Sequence, residues 1–306
     1  MVQHLLSMLD IERDICDVLD RADRIKRSFK AGHVRSSLSR RTLAMIFEKP
    51  STRTRVSFEV AMAQMGGHAL YLSPKDIQLG RGETIEDTSR VLSRYCDAIV
   101  YRAFDWKNVA ALAGASRIPV INALDNREHP CQALADLQTV REHKDSLEGV
   151  KVAYVGDGNN VCNSLMLGCA LVGADISVGC PPTHRPDKGL ARETQRIAKK
   201  TGSKFEILDS PAAAVKEADV VYTDVWVSMG DESEQAKREK LFRPYQVNAR
   251  LVARAKKDAI VMHCLPAHRG LEITDGVIDS RQSVVLDQAE NRLHAQKGLL
   301  EWLIAG

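Results

Sequence analysis

The sequence predicts an α/β protein of two doubly wound domains, each with a central parallel sheet flanked by helices. Three observations lead there. Short apolar runs alternate with helix-like stretches along the whole chain, the pattern of parallel strands joined by crossover helices. The pattern restarts near residue 145, at "KDSLEGVK". The length of 306 residues is long for one average domain and comfortable for two, and an apolar content of 44% can fill two cores.

The elements follow in order. Ile11, Ile15, Val18, Leu19 and Ala22 recur at helical spacing. "TLAMIF" (42–47) is a short apolar run that reads as a buried strand. After Pro50, Phe58, Met62 and Met65 mark a second helix, and Gly66-Gly67 stops it. "ALYL" (69–72) and "DAIVYR" (97–102) read as strands, with the helix-like "TIEDTSRVLSRY" between them. "WKNVAALAGAS" reads as helix and "IPVINA" (118–123) as strand. Beyond the restart, "KVAYVGDGNN" is a strand ending in a glycine turn. "ADISVGCP", "KFEIL", "ADVVYTDVW" and "AIVMHCLP" are strand-like. "SVVLDQAENR" leads into a last helix marked by Leu293, Leu299, Leu300 and Leu303. The charge-rich "DESEQAKREK" (231–240) reads either as a solvated helix face or as a mobile flap over an active site.

Composition excludes several classes. Charged residues make up 27% and the net charge is only +3, against the strong basic bias of a nucleic-acid or membrane-surface binder. The cysteines at 16, 96, 131, 162, 169, 180 and 264 are odd in number and form no CxxC, so reduced thiols are expected rather than a disulfide framework. The N-terminal stretch mixes acids and bases from the tenth residue on, unlike a signal or transit peptide. No apolar run approaches the ~18 residues of a membrane span. A soluble, cytoplasmic protein is expected.

Four stretches carry chemistry. In "FEKPSTRTRVSFE" (47–59), a proline stands ahead of hydroxyls and arginines at a helix start. Unpaired backbone N–H groups and the helix dipole favour an anion there, and hydroxyls with a forked guanidinium would complete a phosphate pocket. The alternative is a well-capped, exposed helix start. "GDGNN" (156–160) follows a strand, but Val161 stands where a dinucleotide fingerprint needs its third glycine. What remains is a loop at a strand end, where Asn159 and Asn160 either bind a small polar ligand or form a turn. "EHPCQ" sets His129 before Pro130, with Gln132 beyond. An imidazole there can face a carbonyl or an anion, or can be structural. "TDVWVSMG" places Asp224 at a strand end, either to pair with a substrate ammonium or to cap a loop. "MHCLPAHRG" clusters His263, Cys264 and His268 at another strand end. No second pair of ligands at metal spacing follows, so neither metal nor cofactor is expected. A cleft between the two halves would suit a two-substrate reaction.

Together and in this order, the stretches resemble the aspartate/ornithine carbamoyltransferase family over nearly the whole chain. "STRTR" is similar to its carbamoyl-phosphate signature and "HPCQ" to its HP-x-Q motif. "DVWVSMG" and "HCLPAHRG" are similar to the ornithine branch rather than the aspartate branch. The resemblance implies transfer of the carbamoyl group of carbamoyl phosphate to L-ornithine, giving L-citrulline and phosphate in arginine biosynthesis. The alternative is a relative acting on another amine, such as putrescine or aspartate. It implies a carbamoyl-phosphate-binding domain at 1–145, an ornithine-binding domain at 146–287 and a C-terminal helix, 288–306, that returns to the first domain. Ser51, Thr52, Arg53, Thr54, Gln78, Arg102, His129, Pro130, Cys131 and Gln132 would bind carbamoyl phosphate, Gln78 in a neighbouring subunit. Asn160, Asp224, Ser228, Met229, Cys264, Leu265 and Arg292 would bind ornithine. Arg102, His129, Asp224 and Cys264 would be catalytic. A homotrimer or a larger assembly of trimers is implied, with no cofactor, metal, nucleic acid or membrane.

Overall fold

The structure is a computed structural model that describes residues 2–75, 77–79, 82–227 and 235–305. The chain divides into two compact units. Unit 1 comprises Met1–Gln138 and Glu290–Gly306, and unit 2 comprises Thr139–Ala289.

In unit 1, a short 3-10 turn (Met8–Ile11) precedes helix α1 (Ile15–Lys30). There follow β1 (Thr42–Phe47), α2 (Thr52–Gln64), β2 (His68–Leu72), α3 (Ile85–Tyr95), β3 (Ala98–Arg102), α4 (Trp106–Ala115), β4 (Val120–Leu124) and the start of α5 (Pro130–Lys144). The run of helical spacing from Ile11 is thus broken. Ile11 closes the 3-10 turn and α1 begins at Ile15, yet all five marker residues are buried. The strands form a parallel sheet in the order β2-β1-β3-β4. All five residues of β3 are buried, so this strand reads as a continuous apolar run rather than an alternation. Each fully buried Ile or Val side chain contributes about 1.5–3 kcal/mol.

The C-terminal segment joins this unit, as expected. Helix α12 (Val285–Leu300) runs into a final π-helical turn, Glu301–Ala305. Gly298 lets α12 approach α1 closely, because a Cβ there would lie 2.7 Å from both Ala22 N and Val18 O. Polar contacts fix the register: Lys26 Nζ donates to Asn291 Oδ1 (2.7 Å), and Arg24 Nη2 pairs with Glu301 Oε2 (2.5 Å).

Unit 2 contains β5 (Lys151–Val155), α6 (Asn160–Leu171), β6 (Asp175–Gly179), α7 (Lys188–Thr201), β7 (Phe205–Leu208), α8 (Pro211–Ala214), β8 (Val220–Thr223), α9 (Gln235–Phe242), α10 (Ala249–Val252), β9 (Ile260–His263) and α11 (Asp275–Ile278). Its parallel sheet runs β7-β6-β5-β8-β9. Trp226 and Phe242 stack in its core at 5.9 Å. Residues 235–240 of the charge-rich stretch belong to α9, whose Arg238 is buried against Asp157 and donates to Trp226 O (2.6 Å). That face of the stretch is not solvated. Residues 231–234 lie outside the described residues.

Both sheets reverse their winding at one place, between β1 and β3 in unit 1 and between β5 and β8 in unit 2. Ligands of open α/β sheets bind outside the carboxyl ends of strands at such switch points. The loops there are 48–51 and 103–105 in unit 1, and 156–159 and 224–227 in unit 2.

Candidate active site

The unit 1 switch point is cationic. Ser51 caps α2, its hydroxyl accepting from Thr54 N at 3.2 Å. The Thr52 and Arg53 amides, first in the helix, have no intrahelical acceptor and point outward with the dipole. Arg53 is half-buried and makes no side-chain hydrogen bond or ion pair among the described residues. Arg55 turns elsewhere. Its Nε meets Glu59 Oε1 at 3.0 Å and its guanidinium stacks 3.7 Å over the Tyr71 ring.

Arg102 ends β3 and is buried. Glu48 braces this corner. Its amide donates to Arg102 O (2.9 Å), and its carboxylate accepts from Tyr101 Oη (2.5 Å) and Phe104 N (2.6 Å). His129 is held by the loop before it, where Asp125 Oδ1 accepts from Arg127 N (2.6 Å) and Glu128 N (2.7 Å), and Glu128 Oε2 accepts from Met8 N (3.1 Å). Pro130 opens α5, and His129 O accepts from Gln132 N and Ala133 N. Burial, then the charges of Arg292, Arg102 and Arg53, drive the His129 pKa well below the ordinary 6.5. The imidazole is therefore neutral at physiological pH, among three guanidiniums.

Gln132 is fixed at both ends, donating to Asp136 Oδ1 (2.8 Å) and accepting from Arg292 Nη1 (2.6 Å). Arg292 Nη2 also donates to Thr54 Oγ1 at 3.1 Å. Arg292, expected with the ornithine residues, thus bonds two residues of the carbamoyl-phosphate set. Cys131 is fully buried, its thiol donates to Asn122 O (3.4 Å), and burial pushes its pKa up to about 12. It is a packing residue, not a nucleophile. Gln78 is exposed.

The unit 2 switch point carries an acid and a thiol. Asp224 lies just past β8 and is buried. Its Oδ1 accepts from the Cys264 thiol (2.8 Å) and Val225 N (2.8 Å), and its Oδ2 accepts from Asn159 Nδ2 (2.7 Å). Asn159 also caps α6, accepting from Val161 N and Cys162 N. The turn role thus falls to Asn159, while Asn160 begins the helix half-buried. Gly158 is required because a Cβ there would collide with the Arg185–Pro186 backbone, and its amide donates to His184 O (3.0 Å). Protein backbone fills the place where a dinucleotide fingerprint leaves room for pyrophosphate.

Cys264 directly follows β9, and its neighbours are fixed. His263 Nε2 meets the fully buried Glu272 Oε1 (3.1 Å), and His263 Nδ1 accepts from Leu265 N (2.9 Å). Leu265 adopts φ 54 before a cis bond to Pro266. Asp224, His263 and Cys264 place their donor atoms within 4.8 Å of one another. Both His263 nitrogens are engaged, however, which leaves two protein ligands, short of a structural or catalytic zinc site. Ser228 and Met229 lie outside the described residues. Sequence reasoning missed Glu48 and Glu272. Glu48 stands within the quoted phosphate motif, but Glu272 has no signal of spacing.

Two family models cover the chain. Residues 3–142 match the "Aspartate/ornithine carbamoyltransferase, carbamoyl-P binding domain", and residues 148–303 match the "Asp/Orn binding domain". The chain belongs to the aspartate/ornithine carbamoyltransferase family. Among relatives of this family, an anabolic ornithine carbamoyltransferase from Pyrococcus furiosus is 56% identical over 293 residues, 96% of this chain and 93% of that protein. A catabolic ornithine carbamoyltransferase from Thermoplasma acidophilum is 52% identical over 301 residues, 98% of each. A solved structure of ornithine carbamoyltransferase from Pyrococcus furiosus superposes with a TM-score of 0.97 at 55% identity, covering 99% of this chain and 97% of that one. Within the family framework, Ser51, Arg53, Arg102 and His129 lie in the carbamoyl-P domain, and Arg292 and the acid–thiol cluster lie in the Asp/Orn domain.

Proposed function

We propose that the chain transfers the carbamoyl group of carbamoyl phosphate to the δ-amine of L-ornithine, yielding L-citrulline and phosphate. The observation that carries this reading is the neutral His129 among Arg53, Arg102 and Arg292 at the capped start of α2. It is an anion pocket with a neutral donor beside it, as a carbonyl bonded to a phosphate requires.

In the proposed reaction, the Thr52 and Arg53 amides, the Arg53 guanidinium and the Ser51 and Thr54 hydroxyls hold the phosphate. Arg102 and His129 face the carbamoyl oxygen, where negative charge grows as the amine attacks. Pro130 and Cys131 set the turn that presents His129, and Gln132 acts through Arg292. The nitrogen–carbon bond forms, the carbon–oxygen bond to phosphate breaks, and one amine proton is lost. The mixed anhydride is already activated, so positioning and electrostatics suffice without a covalent intermediate. Asp224 and Cys264 receive the side-chain end of ornithine, while Asn160, Leu265, Ser228 and Met229 line its site. A free δ-amine resembles lysine, with a pKa near ~10.4, so only a minor fraction is nucleophilic at neutral pH. Excluding water favours that neutral form.

We read the forward direction, towards arginine, as the working one. The subunit assembles as a homotrimer or a larger assembly of trimers in the cytoplasm, and Gln78 reaches a neighbour's carbamoyl phosphate. No helix among the described residues is long and apolar enough to cross a membrane. The test supplies carbamoyl phosphate with ornithine, aspartate or putrescine in turn and measures ureido product and phosphate. Citrulline with ornithine is expected, and turnover of aspartate or putrescine in its place would overturn the assignment. Light scattering reads the assembly, and a monomer would refute the trimer.

A further inference from the structure

Lys297 has no part in the chemistry above, yet its setting is unusual. It is only 1% exposed, on the face of α12 that meets α1 and α2. Its Nζ donates to Gln64 Oε1 (2.5 Å) and lies 4.2 Å from the centroid of the Phe29 ring. No carboxylate pairs with it among the described residues. Glu301, the nearby acid, is taken by Arg24 at 2.5 Å and Arg21 at 3.7 Å. Lys297 also lines a pocket of about 20 Å³, with Arg24, Phe29, His33 and Arg35. That is room for about one water-sized molecule.

We propose that Lys297 is a carbamylation site, whose amine takes up isocyanic acid in this pocket to form a stable urea on helix α12. Isocyanic acid carries only three heavy atoms, in a near-linear N=C=O, and is among the smallest acylating agents. The Nζ lone pair forms the new bond to the isocyanate carbon, and the displaced C=N electron pair takes a proton as Nζ gives one up. No group leaves and nothing is oxidised or reduced. Burial lowers the Lys297 pKa to about 8. At pH 7.5 its neutral fraction is about two hundred times that of a solvated lysine at ~10.4. The reagent's biological source rests on the proposed function: carbamoyl phosphate eliminates to isocyanic acid and phosphate when an N–H proton passes to the departing phosphate.

The consequence reaches the phosphate site. The urea lengthens a side chain already packed against Phe29 and Gln64, and overpacking displaces neighbours. The neighbours are α2 and α12, which also meet where Arg292 binds Thr54. Carbamylated enzyme should therefore show a several-fold higher KM for carbamoyl phosphate.

The test treats the full chain with potassium cyanate at pH 7.5 and follows each lysine by peptide mass mapping. Lys297 should gain the carbamyl mass several-fold faster than the median lysine. Gln64→Glu would place a carboxylate on Nζ, keep the amine protonated and slow labelling several-fold, with the fold checked by circular dichroism. Lys297→Arg cannot form the urea and should resist cyanate inactivation. An unlabelled Lys297 when surface lysines are modified would overturn the proposal, as would equal labelling in Gln64→Glu. Inactivation of Lys297→Arg at the wild-type rate would remove the link to activity. Cyanate is supplied directly, so failure here leaves carbamoyl transfer to ornithine untouched. Failure of that transfer likewise leaves the labelling result standing.

Discussion

Unit 1 gathers three guanidiniums around one neutral imidazole, whereas unit 2 gathers three donors around one carboxylate. The first is electrostatically unfinished. Arg53 has no acid beside it among the described residues, and the helix start presents amides without acceptors, so an anion completes the arrangement. The second is already satisfied. Asp224 holds Cys264, Val225 N and Asn159 by itself, and a ligand must share or exchange those bonds. One pocket binds by supplying missing charge, the other by reorganising hydrogen bonds. Damage to the first should fall on charge stabilisation, and damage to the second on fit and pH response.

The largest effect is expected at Arg102. Arg102→Ala removes a buried cation, which the proposed reaction sets against the developing oxyanion, and should lower kcat about 10²–10³-fold, as for other lost oxyanion donors. Steady-state kinetics with saturating ornithine measures it. A drop under tenfold would move Arg102 out of the charge-bearing set. In unit 2, Asp224→Asn should raise KM for ornithine about 10²-fold, because a charge-assisted contact is lost. Cys264→Ser keeps a donor to Asp224 and should cost only about tenfold, with a displaced pH–rate profile. An unchanged rate and profile for Cys264→Ser would remove the thiol from the mechanism.

A subtler difference concerns acid stability. His129 has a folded pKa well below its unfolded value near ~6.5, because burial and three arginines disfavour the cation. Below about pH 6.5 the unfolded chain binds a proton that the folded chain refuses, so stability is lost as pH falls, by about 1.4 kcal/mol per pH unit for one such group. His294, lowered to about 4 chiefly by burial, acts with the same sign. His129→Gln should flatten the fall in denaturation midpoint between pH 6.5 and 4.5 without abolishing it. A slope equal to the wild type would mean that His129 takes up its proton in the folded state.

Much of the fold was legible because buried parallel strands are unbroken apolar runs: β1, β3, β5, β8 and β9 all stand out. The edge strand β2 gave a weaker signal, being half exposed. Helix α6 gave almost none as an amphipathic pattern, since Val161 to Ala170 are all buried and no polar face remains to set a period. The phosphate motif was legible because cap, hydroxyls and guanidiniums adjoin in sequence. The Asp224–Cys264 bond was not, because 40 residues separate its partners and only the neighbouring strands β8 and β9 bring them together. Glu272 supports His263 from a loop where an acid ordinarily means only solvent.

The smallest effect separates two arginines two residues apart. Arg53 and Arg55 share a motif, but the helical turn sends them to different faces of α2. Arg53 reaches His129 electrostatically, whereas Arg55 pairs with Glu59 and covers Tyr71. An exposed i,i+4 pair contributes about 0.3–0.5 kcal/mol, and a cation over an exposed ring about 0.5–1 kcal/mol. Arg55→Ala should therefore lower the thermal midpoint by a few degrees at most and change KM for carbamoyl phosphate less than twofold. Arg53→Ala should weaken carbamoyl phosphate binding at least tenfold with the midpoint unmoved. Calorimetric titration with phosphate reads both. Equal losses of affinity would place Arg55 in the anion pocket and end the distinction between the two faces of the helix.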